Sequence, residues 1–155
     1  MLSTSVLSSG SKGNSSLIFT NDTYILLDAG LSAKKLFCAM EEIGIDPHKL
    51  NGLVISHEHS DHVNGAGVLN RKLNIPIYFT EQTFSRCEHK LGKLKQNPTY
   101  FNVGDEFLIG DIKVTSFSSS HDAIDSSNFL FEEVNNSSQK LAIATDLGFA
   151  SKLLL

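Results

Sequence analysis

An apolar segment, Leu53-Val54-Ile55, runs straight into His57-Glu58-His59-Ser60-Asp61-His62. A strand that is apolar throughout its centre is buried on both faces, so Gly52 to Ser56 is expected inside a sheet that is covered on each side. The ligand-type residues then sit at that strand's exit. Imidazole nitrogen and carboxylate oxygen are the donor set for zinc, manganese or iron at hydrolytic centres. In an extended exit His57 and His59, at i and i+2, face the same way and can grip one ion. Asp61 and His62 are adjacent, which suits a chain turning into a helix and presenting two donors to a second ion. Three of the six histidines fall in these six positions, a concentration that argues against an ordinary solvated loop.

The 155 residues suffice for one domain, taken as residues 1–155, with a substantial core. A formal net charge of -4 argues against a surface that is basic all round. Met1 to Thr20 lacks a basic start and a long apolar run, and no stretch is long and apolar enough to cross a bilayer. A cytoplasmic protein without membrane contact is therefore expected. Cys38 and Cys87 form no CxxC pair, so neither a disulfide framework nor a thiolate metal site is indicated, and each is expected as a buried or half-buried helix residue.

Ser5 to Leu7, Leu17 to Phe19 and Tyr24 to Leu27 read as strands, the last two joined in a hairpin at Asn21-Asp22. Ser32 is the N-cap of a helix running to Ile43 and ended by Gly44. Val63 to Leu73 reads as a helix, Ile75 to Phe79 as a strand and Thr83 to Leu91 as another helix. A β-meander is expected next, over Tyr100 to Val103, Glu106 to Ile109, Ile112 to Phe117, Asn128 to Val134 and Gln139 to Ala144, with turns at Gly104-Asp105, Gly110-Asp111 and Asn135-Asn136. Alternation followed by a meander predicts a mixed α/β sandwich, not a doubly wound parallel sheet.

Further ligand candidates stand at strand ends. Asp28 closes Leu26-Leu27, His121 follows Ser118-Ser119-Ser120, and Asp146 follows Ala144-Thr145. An acidic group placed directly after an apolar strand is costly to bury without a partner, and a cation or the N–H of a metal ligand supplies one. The final residues, Leu153-Leu154-Leu155, arrive as a new helix begins, and three leucines with nothing to pack against predict a fold that continues beyond them.

The HxHxDH run, the upstream strand-Asp-Ala-Gly, the later lone His and the strand-Asp together resemble the metallo-β-lactamase-fold hydrolases. Ser9-Gly10-Ser11-Lys12-Gly13-Asn14-Ser15, Leu27-Asp28-Ala29-Gly30-Leu31-Ser32 and Ser120-His121-Asp122 resemble the bacterial WalJ-like (YycJ-like) exonuclease branch, across essentially the whole chain. The resemblance implies an αββα sandwich, here incomplete at its C-terminus, and two divalent metal ions, zinc or manganese. It implies that His57, His59 and His121 bind the first ion, that Asp61 and His62 bind the second, and that Asp146 bridges them. Asp28 matches a position that orients the His loop from behind. The family's further His ligand lies some tens of residues after the bridging Asp, past the end of this chain.

A centre of that kind activates water for hydrolysis. The implied activity is a 5′-exonuclease acting on DNA, with Asp61 as the catalytic carboxylate that orients the water and takes its proton. Arg86, His89, Lys90, Lys93 and Lys95 form a basic stretch able to meet phosphates, although an ordinary solvated helix face has the same composition. Backbone N–H groups of the Ser8 to Ser16 loop are a second phosphate-binding candidate. Other readings are a thioester or small-ester hydrolase of the same fold, and an incomplete relative that binds metal without turnover. A di-iron redox protein is disfavoured, because His59 stands where those relatives have Glu. An unfinished sandwich leaves apolar surface exposed, so self-association and only one tight metal site are expected of these 155 residues.

Overall fold

A computed structural model of the protein describes residues 1–118 and 126–144. Among these residues the order is β1 (Ser3–Ser8), β2 (Ser15–Phe19), β3 (Tyr24–Leu27), α1 (Ala33–Glu42), β4 (Gly52–Val54), α2 (Ser60–Val63), α3 (Ala66–Leu73), β5 (Ile77–Phe79), α4 (Glu81–Leu91), β6 (Thr99–Tyr100), β7 (Glu106–Ile109), β8 (Ile112–Ser118), β9 (Ser127–Glu133) and β10 (Asn136–Ile143). The first six strands form one sheet in chain order, antiparallel from β1 to β3 and parallel from β3 to β6. The other four form an antiparallel sheet in the order β10-β9-β8-β7.

Side-chain alternation explains the layering. Leu26 and Leu53 face a core shared with Leu36 and Met40 of α1, Leu69 of α3 and Leu91 of α4. Ile25, Leu27 and Val54, from the same strands, face the opposite way and pack on Ile112, Val114, Phe129 and Phe131 of the second sheet. The strand β4 is buried on both faces, as its composition requires. Helices, first sheet and second sheet thus stack as layers, and the α/β sandwich expected from the sequence is present.

Ser32 caps α1 by accepting from the Lys35 N–H, and the chain leaves the helix through Gly44 at φ +79°. Two expected elements are corrected. The segment Tyr100 to Val103 does not open the meander: Thr99–Tyr100 pairs in parallel with β5 in the first sheet, and the Gly104-Asp105 turn carries the chain from one sheet to the other. The helix expected over Val63 to Leu73 is broken between α2 and α3 at Asn64 and Gly65. Gly65 donates its N–H to Ala29 O, and a Cβ there would lie 2.2 Å from Leu31 O, so the β3–α1 connection passes where a continuous helix would carry a side chain.

Cys38 is exposed on α1, not half-buried. Cys87 is buried in α4, and burial pushes its thiol up to about 12, so it stays protonated at neutral pH and is no nucleophile. No helix among the described residues is long and apolar enough to cross a membrane.

Candidate metal centre

The parallel strands β3 and β4 end side by side and deliver Asp28 and the His run to one sheet edge. Asp28 adopts a left-handed backbone, φ +61°, which is unfavourable for a residue with a Cβ and is held by the bonds its carboxylate makes. Its Oδ1 accepts from Ser56 N at 2.8 Å. Its Oδ2 accepts from Ser56 Oγ at 2.7 Å and lies 2.6 Å from His62 Nδ1. A carboxylate only accepts, so His62 carries its proton on Nδ1 and presents the Nε2 lone pair. Ser56 Oγ, its own proton given to Asp28, accepts from His57 Nδ1 at 2.9 Å, which puts the lone pair of His57 on Nε2 as well. One buried carboxylate therefore sets both tautomers, one directly and one through a serine.

The rings are gathered. His57 and His62 are fully buried, with ring centroids 3.9 Å apart, and His59 stands edge-on to His57 at 4.7 Å. His59 is the last extended residue before α2, at φ -63° and ψ 146°, so the chain turns from strand exit to helix between the two donor pairs. On that first helical turn Asp61 Oδ2 lies 3.5 Å from His62 Nε2. Lys90 of α4 braces the loop from outside, with Nζ 3.0 Å from Ser60 Oγ and 3.4 Å from Glu58 O.

The donor set fits a divalent cation: neutral imidazoles with assigned lone pairs beside a carboxylate suit zinc or manganese. Within the described residues, no group of three His, Cys, Asp or Glu side chains by itself forms a metal cage. His121 and Asp146 lie outside the described residues. The strands that lead to them end at this edge. Ser127 at the start of β9 donates its N–H to Ser56 O, and Ile143 at the end of β10 and Ala144 just after it line a hollow of about 200 Å³ with Asn14 and Asp28.

Sequence reasoning missed Ser56 and the contacts of Asn14. The Asn14 amide lies 3.0 Å from Asp61 Oδ2 and 3.3 Å from His62 Nε2. Ser56 sits between a strand and the His run, where a small polar residue carries no distinctive local signal.

The sequence profile of the metallo-beta-lactamase superfamily matches residues 9–119. The chain belongs to the metallo-beta-lactamase superfamily. Within the superfamily, it is 40% identical over 148 residues to Exodeoxyribonuclease YycJ of Bacillus anthracis, covering 95% of this chain and 55% of that protein. It is 39% identical over 150 residues to Exodeoxyribonuclease WalJ of Streptococcus pneumoniae, with the same two coverages. The chain spans about half the length of these curated relatives. The solved structure of Rm3 metallo-beta-lactamase superposes with a TM-score of 0.71 at 20% identity, over 97% of this chain and 65% of that one. A metallo-beta-lactamase of Cronobacter sakazakii superposes at 0.70 and 17%, over 84% of this chain and 57% of that one. At such identities the structural likeness speaks for the superfamily fold alone.

The same edge yields a prediction about packing. A Cβ on Gly30 would lie 1.8 Å from Asp61 O and 2.3 Å from Asn14 N, both backbone atoms that cannot swing aside. Gly30→Ala is expected to destabilise the protein by roughly 3 kcal/mol or more, above ordinary overpacking, measured by urea unfolding. An unchanged midpoint would show that the Asp61 loop yields easily.

Proposed function

We propose that the protein is a metal-dependent phosphodiesterase that degrades DNA from its 5′ end. The observation that carries the reading is the Asp28–Ser56 network, which aims the lone pairs of His57 and His62 into one site beside Asp61. The substrate class rests on the exodeoxyribonuclease names of relatives matched across 95% of this chain. In this reading His57, His59 and His121 hold one ion, Asp61 and His62 hold a second, and Asp146 serves both. The ends of β8, β9 and β10 around the site support roles for His121 and Asp146.

Two divalent cations, zinc or manganese, supply such a site with an acidified water and with positive charge against the attacked phosphate. The chain's own residues do the rest. Asp28 keeps the imidazoles in the tautomer whose Nε2 carries the lone pair. Asp61, half-buried on the first turn of α2, orients the attacking water and takes its proton. Lys90 brings an ammonium to the rim of the His loop, and Arg86, His89, Lys93 and Lys95 are exposed nearby in sequence, where a nucleic-acid backbone can approach. A cytoplasmic location is part of the proposal and accords with a DNA substrate. Self-association is part of the proposal: Leu108 and Val134, 60% and 52% exposed, flank one hollow on the second sheet, and sizing chromatography reads it out.

The test is elemental analysis of the purified protein, followed by digestion of 5′-phosphorylated and 5′-hydroxyl DNA with manganese, with zinc and with chelator. Metal-dependent release of nucleotides from the 5′ end is expected. Efficient thioester cleavage with DNA left intact would move the assignment to a small-ester hydrolase. A protein that takes up no metal would end both.

A further inference from the structure

Asn14 lies in the loop between β1 and β2, 47 residues before Asp61, and its side chain reaches the proposed reacting groups. Its Nδ2 is 2.9 Å from Gly10 O, 3.0 Å from Asp61 Oδ2, 3.3 Å from His62 Nε2 and 3.4 Å from Asp61 O. The amide has two hydrogens. With one given to Gly10 O, the other serves Asp61 and His62. Oδ1 accepts from Gly10 N at 3.1 Å, so the amide orientation is determined: a flip would set a carbonyl against a carboxylate and an NH₂ against an N–H.

The main chain already closes this loop. Asn14 N donates to Asp61 O at 2.7 Å, and Asn14 O accepts from Gly30 N at 2.9 Å. The side-chain contact to Asp61 Oδ2 is therefore additional to what anchoring requires. We infer that Asn14 is a positioning residue for Asp61, an inference that rests on the phosphodiesterase reading above. A neutral donor is chemically suited to the task. It fixes the carboxylate in one orientation without cancelling the negative charge that a cation ligand or proton acceptor needs, as a lysine or arginine would.

Steady-state kinetics on DNA, with manganese saturating, compares wild type, Asn14→Ala and Asn14→Asp. Asn14→Ala lowers kcat by about 10- to 100-fold, the usual cost of losing a group that orients a ligand, and leaves KM within about twofold. Asn14→Asp keeps the shape and the acceptor for Gly10 N, but it removes the donor and sets a second carboxylate against Asp61. Its kcat falls at least as far. A role in anchoring the loop through Gly10 alone lowers the urea midpoint of both variants and leaves kcat of the folded protein near wild type, and that result overturns the inference. Calorimetric titration of manganese supplies a readout that needs no turnover: Asn14→Ala weakens the lower-affinity ion about tenfold. If wild type binds manganese but leaves DNA intact, the phosphodiesterase reading falls while the titration still decides the role of Asn14. Unchanged affinity in Asn14→Ala then overturns it.

Discussion

On the proposed phosphodiesterase reading, Asp61→Ala is expected to lower metal-dependent hydrolysis by about 10³-fold or more, because one carboxylate would serve as both ligand and proton acceptor. Its side chain is 28% exposed on a four-residue helix and belongs to neither hydrophobic core. The contacts that hold the neighbouring loop use its carbonyl: Asp61 O accepts from Asn14 N, a bond that alanine keeps. Unfolding by urea should therefore shift by less than about 1 kcal/mol. Chelator applied to wild type should reproduce the loss, and added manganese should reverse it. Retention of a tenth of wild-type kcat by Asp61→Ala would remove Asp61 from the reaction, whatever the site hydrolyses.

Replacing Asp28 is expected to act on stability and on metal affinity together. Asp28→Ala removes the acceptor shared by Ser56 N, Ser56 Oγ and His62 Nδ1, and Ser56 Oγ, 3.3 Å from His62 Nδ1, is a longer substitute for the last. Each orphaned donor costs about 1–3 kcal/mol, so a loss of about 4 kcal/mol is expected in the metal-free protein. Asp28→Asn separates the two effects. It keeps an acceptor for Ser56 N but turns an NH₂ toward His62 Nδ1. His62 then has to move its proton to Nε2, the atom that would bind the ion. Stability should fall by only about 1–2 kcal/mol, while affinity for manganese or zinc falls about 10- to 100-fold. Equal stability and metal affinity in Asp28→Asn and wild type would show that the tautomer relay carries no weight. Urea unfolding and calorimetry measure the two quantities separately.

Several features were legible without coordinates because their causes are local. Leu53-Val54-Ile55 is apolar on both faces of a strand, and only a covered central position accepts it; β4 lies there. Ser32 caps α1, and the four residues between Phe19 and Tyr24 form a hairpin, as nearest-neighbour chemistry requires. His57, His59, Asp61 and His62 stand within six residues, so a single strand exit brings them together whatever the rest of the chain does.

Other features depend on partners far along the chain. Thr99–Tyr100 has the composition of a meander strand and joins the first sheet only because the edge of β5 is available beside it. The helix after the His run stops at Gly65 because the β3–α1 connection already occupies the adjoining space. Asn14 and Ser56 are unremarkable in sequence, and their roles come from Asp61 and Asp28, 47 and 28 residues away. Ligand chemistry is a property of residue type and close spacing, so the sequence alone singled out His57, His59, Asp61 and His62 as candidate ligands. The tautomer each imidazole adopts and the direction of the Asp61 carboxylate are set by hydrogen bonds between distant segments, and those the tertiary structure alone decided.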